Sequence, residues 1–262
     1  MYGKKYVRKA GKAVKKMVRK APVKKVVSKA VKAYVSRIVH KNVENKVAYA
    51  SGTDVSIIPM AQSVPLLAAS IIPLSSVWIL SQGTGQSNRI GTSITPLKWD
   101  MSLYLHNNGA NNIPCLVRMI VFKNKTFTTT PFGTNLQPLD ILQTGNFTSP
   151  GTGNYFDLKR EINKDNYTVY YDKVMKIGGA VAGTTANSNN DFNCVRFVKV
   201  NLLKFQKHAI KYADAVTSPT NSGLYVSFFF APYDGSTILA ADITAGKYPQ
   251  MSFDIDAKYE DA

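Results

Sequence analysis

Apolar and polar positions alternate most cleanly over residues 94–106. Leu97, Trp99, Met101, Leu103 and Leu105 fall on one side, with Lys98, Asp100, Ser102 and Tyr104 on the other. Successive side chains of an extended chain point to opposite faces, so this run predicts a half-buried antiparallel strand. The last residues repeat the pattern. Met251, Phe253, Ile255, Ala257 and Tyr259 face inward, and Ser252, Asp254, Asp256, Lys258 and Glu260 face out. A strand there must pair with sheet already formed, which ties that end of the chain into the fold. Residues 115–122, 167–177, 192–203 and 224–231 are less one-sided. Phe228, Phe229 and Phe230 put aromatic rings on both faces of one strand, so both faces must be covered. Residues 47–58 supply the first strand, 77–80 a short neighbour and 238–243 a further short strand.

About eight strands result, separated by Gly, Pro and Asn/Thr/Ser turns. Residues 123–163 hold Pro131, Pro138 and Pro150, with helical turns expected at 138–143 and 156–162. Residues 178–190 carry nothing large to pack. Loops of such length have work at a surface, and 232–248 joins them. No βαβ rhythm occurs, which argues against a doubly wound sheet. The expected fold is all-β, an eight-stranded antiparallel jelly-roll sandwich over residues 46–262, preceded by an arm over 1–45.

The arm reads differently. At about 100° per residue, Tyr6, Val7, Ala10, Ala13, Val14, Met17, Val18 and Ala21 gather on one side of a helix. Lys5, Arg8, Lys9, Lys12, Lys15, Lys16, Arg19 and Lys20 gather opposite, and Pro22 ends the run. A second stretch has Val27, Val31, Tyr34, Val35 and Ile38 as its stripe, with Lys25, Lys29, Lys32 and Ser36 opposite. Neither helix is stable alone. Both are short, the first repels itself, and the second is rich in β-branched valine.

Charge sharpens this division. The 262 residues carry a formal +17, of which the first 41 hold +15, from 12 Lys and 3 Arg with no acid. The remaining 18 basic and 16 acidic residues leave +2. The cationic set is Lys4, Lys5, Arg8, Lys9, Lys12, Lys15, Lys16, Arg19, Lys20, Lys24, Lys25, Lys29, Lys32, Arg37 and Lys41. Such a block demands a polyanion or an anionic surface. Nucleic-acid contact is the leading reading; a membrane-surface helix and a solubilising or targeting tail are the alternatives. Lys15, Lys16, Arg19 and Lys20 also read as a nuclear import signal, which makes host import receptors candidate partners. No base-reading apparatus accompanies the charge, so the contact expected is to phosphate, salt-dependent and indifferent to base order. No apolar stretch reaches the roughly 18 residues of a membrane span, and no hydrophobic signal core follows the first basic residues. Cys115 and Cys194 make no disulfide framework and read as reduced thiols of a cytosolic or nuclear protein.

Enzyme chemistry finds little footing. His40, His106 and His208 stand in no metal-binding motif, and Gly83-Thr84-Gly85 lacks the Lys-Ser/Thr of a phosphate loop. Asp157 and Glu161 share a helix face with Lys159 and Arg160 beside them, an ion-pair cluster rather than a catalytic pair. Asp254, Asp256 and Glu260 read as a solvated strand face rather than an ion site. No Gly-x-Ser-x-Gly elbow occurs. The expectation is a non-enzymatic protein without metal or cofactor.

Three segments carry a resemblance. Asn88-Arg89-Ile90-Gly91-Thr92-Ser93-Ile94 is similar to the Arg-x-Gly-x-x-Ile segment that precedes a long strand in capsid proteins of circovirus-like, Rep-encoding circular single-stranded DNA viruses. Asn112-Ile113-Pro114, leading into residues 117–122, resembles their next framework strand. Asn166-Tyr167-Thr168-Val169-Tyr170-Tyr171-Asp172-Lys173 resembles their aromatic, apolar, tyrosine, aspartate strand. The layout, basic arm then β body, also resembles satellite plant virus coats. The arm departs from the Arg-dominated tract of circoviruses proper in being Lys-rich with a valine/alanine stripe. The resemblance implies a virion protein, assembled in the host nucleus, that forms a T=1 icosahedral shell of about 60 copies of itself. It also implies packaging of single-stranded DNA, where the lysines alone suit RNA equally. Arg89 and Arg118 are each open to two roles, phosphate contact or a buried hydrogen-bond network. A non-viral β-sandwich that binds nucleic acid or glycan through a basic tail is the alternative.

Overall fold

The computed structural model describes residues 28–32, 34, 45–59, 71–107, 113–125, 141–143, 154–179, 194–236 and 248–261. The chain divides into two units, Met1–Asn42 and Val43–Ala262. In the first, residues 29–32 and Tyr34 are helical. The Val31 amide donates to the Ser28 hydroxyl at 3.2 Å, the bond of an N-cap, and the Lys32 amide closes the first turn on the Ser28 carbonyl.

The second unit is built from strands β1 (Asn45–Ser56), β2 (Ile58–Pro59), β3 (Ile71–Pro73), β4 (Ser93–Asn107), β5 (Cys115–Asn124), β6 (Tyr167–Ile177), β7 (Val195–Asn201), β8 (Ile210–Lys211), β9 (Leu224–Pro232) and β10 (Pro249–Asp261). A four-residue helix, α1 (Tyr155–Leu158), lies between β5 and β6. One sheet, A, has the order β1-β10-β4-β7, with β8 continuing the β7 edge of β4. The other, B, has β9-β5-β6, with β2 and β3 both on the outer edge of β9.

With β2/β3 and β7/β8 each counted as one strand, the sheets read 1-8-3-6 and 2-7-4-5. First pairs with last, second with seventh, third with sixth and fourth with fifth. That is one long hairpin rolled so that β10 meets β4 and β9 meets β5. The arrangement is a jelly-roll sandwich.

Between the sheets, Trp99, Met101, Leu103 and Leu105 of β4 meet Val117, Met119 and Val121 of β5 and Phe228 and Phe230 of β9. Trp78 packs edge-on against Trp99 at 5.3 Å and Tyr259 at 6.0 Å. Phe229 points the opposite way from its neighbours, into a second cluster on the outer face of sheet B. Leu116, Ile120, Phe122 and Tyr225 join it there, under Ile141, Leu142, Leu158 and Ile162. Both faces of the Phe228–Phe230 triplet are therefore covered, as the pattern requires. Cys115 and Cys194 are free and buried. Burial pushes the Cys115 thiol up to about 12, with its hydrogen bond to Asn107 pulling the other way.

Several expectations are corrected. Residues 77–80 form no strand; Leu74–Trp78 is a 3-10 turn whose buried Leu74, Val77 and Trp78 follow a helical spacing. Leu97 is exposed, because Lys98 pairs with Lys258 and Pro96 with Tyr259, leaving Leu97 as the extra residue of a bulge. Glu260 is buried rather than solvated. The turn expected at 156–162 is confined to α1, and Ile162 instead bridges Leu142. Strand 192–203 is shorter, Leu203 lying in a 3-10 turn, Leu203–Phe205. Residues 238–243, 138–140 and most of the loops at 123–163, 178–190 and 232–248 lie outside the described residues.

Candidate nucleic-acid interface

Of the arm cations, Lys29 and Lys32 are described, and both are exposed on the capped turn. Val31 and Tyr34, three residues apart on the apolar stripe, are exposed as well. Lys4, Lys5, Arg8, Lys9, Lys12, Lys15, Lys16, Arg19, Lys20, Lys24, Lys25, Arg37 and Lys41 lie outside the described residues.

Arg118 and Arg89 sit elsewhere, each in a buried network rather than at a free surface. Arg118 stands on β5 between Val174 of β6 and Phe229 of β9. Its Nε and Nη2 donate to the two Asp172 oxygens at 2.8 and 2.6 Å, a two-pronged fork. Its Nη1 donates to the Leu158 and Arg160 carbonyls at 2.7 and 2.6 Å. The guanidinium thus pins the segment after α1 onto the outer face of sheet B, where Leu158 and Ile162 cover Phe229. With those donors engaged and the residue buried, Arg118 has no fork to offer a phosphate.

Arg89 is 1% exposed. Its Nη1 donates to the Gly91 carbonyl and its Nη2 to that of Val216 at 2.7 Å, and the guanidinium lies 4.3 Å from the centre of the Tyr212 ring. Beside it Lys46, also 1% exposed, donates to the Asn88 carbonyl and pairs with Asp261, each at 2.7 Å. Burial raises the Tyr212 phenol, opposed by Arg89 and reinforced by Tyr259 and Asp261. Loop 82–91 is thus tied to β1 through Lys46 and Val47, to β10 through the Tyr259 hydroxyl on the Asn88 carbonyl, and to the segment before β9 through Arg89 and Val216. Sequence reasoning placed Lys46 at the first position of the body and assigned it no such role.

The outer face of sheet A carries features that sequence reasoning also passed over. Tyr104 and Phe197 are directly paired across β4 and β7, and their rings lie 4.9 Å apart. His106 continues the row at 5.1 Å from Tyr104, with its Nε2 3.5 Å from Asp54. Phe197 is 78% exposed. Asp100 lies between Lys98 at 4.0 Å and Lys199 at 3.6 Å, and Asp256 is 3.2 Å from Lys98. The sequence did hold a signal for Phe197. Val198, Val200 and Leu202 form the inward set, which sends Phe197 outward with Lys199.

Among the described residues no group of three or more His, Cys, Asp or Glu side chains is placed to hold a metal ion. No helix among them is long and apolar enough to cross a membrane. No family model matches the chain, and no curated protein matches it. Among solved structures, a chain of Desmodium yellow mottle tymovirus is 12% identical, covering 83% of this chain and 85% of its own, with a TM-score of 0.34. A chain of mud crab tombus-like virus is 10% identical, covering 99% and 93%, with a TM-score of 0.32. Superpositions this loose do not establish a shared fold.

Proposed function

We propose that this chain is a coat protein: the jelly-roll unit associates with copies of itself into a small closed shell, and the basic arm neutralises a packaged single-stranded nucleic acid. The observation that carries the reading is the split of charge, +15 over the first 41 residues against +2 over the rest, in a chain whose remainder is a rigid two-sheet block. A lysine is a flexible point charge and suits a partner of no fixed geometry. About 60 copies bring on the order of 900 positive charges, enough for a genome of roughly a thousand nucleotides. The circovirus-like segments around Arg89, Val117 and Tyr167 favour DNA and a T=1 shell. The lysines at 15, 16 and 20 with Arg19 favour passage through the host nucleus before the protein reaches the virion.

Electron microscopy of the purified chain tests the shell, with uniform particles about 20 nm across expected for about 60 copies. Monomers or dimers would point instead to a solitary β-sandwich binding module. Deleting residues 1–41 is expected to leave a folded body that has lost most bound nucleic acid, read from the ratio of absorbance at nucleic-acid and protein wavelengths. Equal retention with and without those residues would sink the reading. Binding by the intact chain should weaken steeply as salt rises, since it works by releasing counterions.

A further inference from the structure

We propose that the β7 flank of sheet A is a second nucleic-acid contact, which holds unpaired bases by stacking on Phe197. The inference rests on the reading above, that the chain packages a single strand. Three observations carry it. Phe197 projects a largely exposed ring from a strand, with the tilted Tyr104 ring beside it at 4.9 Å on the neighbouring strand. Lys199 stands two residues along the same face, about 6.6 Å away, so a nucleotide whose base lies on the ring has its phosphate within reach of an ammonium.

The third observation is charge. On Phe197's own face of β7 the exposed cation is Lys199, and the exposed Lys211 lies farther along the same edge of β4; Arg196 takes the opposite face, and Lys204 turns to the Tyr171 and Phe205 rings. Asp100, opposite Asn201 of Phe197's strand, is shared between Lys98 and Lys199. Asp254 and Asp256 lie on β10, across β4 from the ring. A duplex keeps its base faces stacked internally, so only an unpaired strand can use the ring.

The test uses the full chain and three labelled oligomers of about 30 nucleotides: oligothymidylate, oligouridylate and an abasic strand of equal charge. The base-bearing strands are expected to bind about tenfold tighter than the abasic one. Phe197→Ala should abolish that preference while leaving abasic affinity unchanged, and Phe197→Tyr should retain it. The thymidylate-to-uridylate ratio tells DNA from RNA as the favoured occupant. Equal binding of base-bearing and abasic strands by the wild-type chain overturns the stacking site and leaves the arm's role intact. No binding of any strand overturns the packaging reading itself. If Phe197→Ala dissolves assemblies while the preference survives, the ring is a subunit contact and the inference is wrong.

Discussion

Phe229 and Phe197 both occupy outward-facing positions on strands of the same sandwich, yet one is fully buried and the other 78% exposed. Sheet B supplies the cover for Phe229 from the connection between β5 and β6: Ile141, Leu142, Leu158 and Ile162 lie over it, and Arg118 fastens that connection through Asp172 and two carbonyls. Over Phe197, sheet A shows no corresponding layer among the described residues. Strand geometry alone therefore does not decide whether an outward ring belongs to a core or to a surface. The connecting segment decides it, together with the single charged fork that holds the segment down.

Breaking the covered side should have the largest effect. Phe229→Ala removes a fully enclosed ring and is expected to cost about 4 kcal/mol in unfolding free energy, read from the urea midpoint of the full chain. Asp172→Ala takes the charged acceptor from the buried Arg118 guanidinium, and since that carboxylate is itself 36% exposed the expected cost is about 2 kcal/mol. Limited proteolysis of that variant should cut first within residues 154–163, where the guanidinium no longer has a fixed partner. If cleavage there is unchanged, the fork does not hold the cover. At the small end, Phe197→Ala should shift stability by no more than about 0.5 kcal/mol, because the ring touches little besides Tyr104. A larger loss would mean that the bare face is structural after all.

How much of this was legible beforehand follows from what each residue needs. Strands β4 and β10 were readable because alternation runs along them, β5 and β9 because nearly every residue of Cys115–Phe122 and of Leu224–Ala231 is apolar, and β6 because its aromatic and β-branched residues favour extended chain. Strands β2, β3 and β8 were not, since two or three residues carry no period. Leu97 misled because a bulge shifts side-chain parity without changing composition. Glu260 misled because alternation says which face a residue takes and nothing about how well that face is covered. Arg89 and Arg118 were left between two roles, and their carbonyl partners explain why. Gly91, Val216, Leu158 and Arg160 offer backbone oxygens, which any residue type supplies, so no sequence motif announces them. Asp172 was visible within its tyrosine-rich strand, but its match to Arg118 lies 54 residues away.

The pairing of β1 with β10 also constrains how the molecule is made. A ribosome delivers Asn45–Ser56 well before its partner Pro249–Asp261, and every contact between them waits until the whole stretch separating them has emerged. Pairing of such long sequence separation is slow to form, and its strands are exposed to wrong partners meanwhile. The basic residues ahead of β1 are synthesised before it, and like charges on neighbouring nascent chains repel. During that interval the charge they carry works as a spacer, keeping half-finished chains apart until the roll can close.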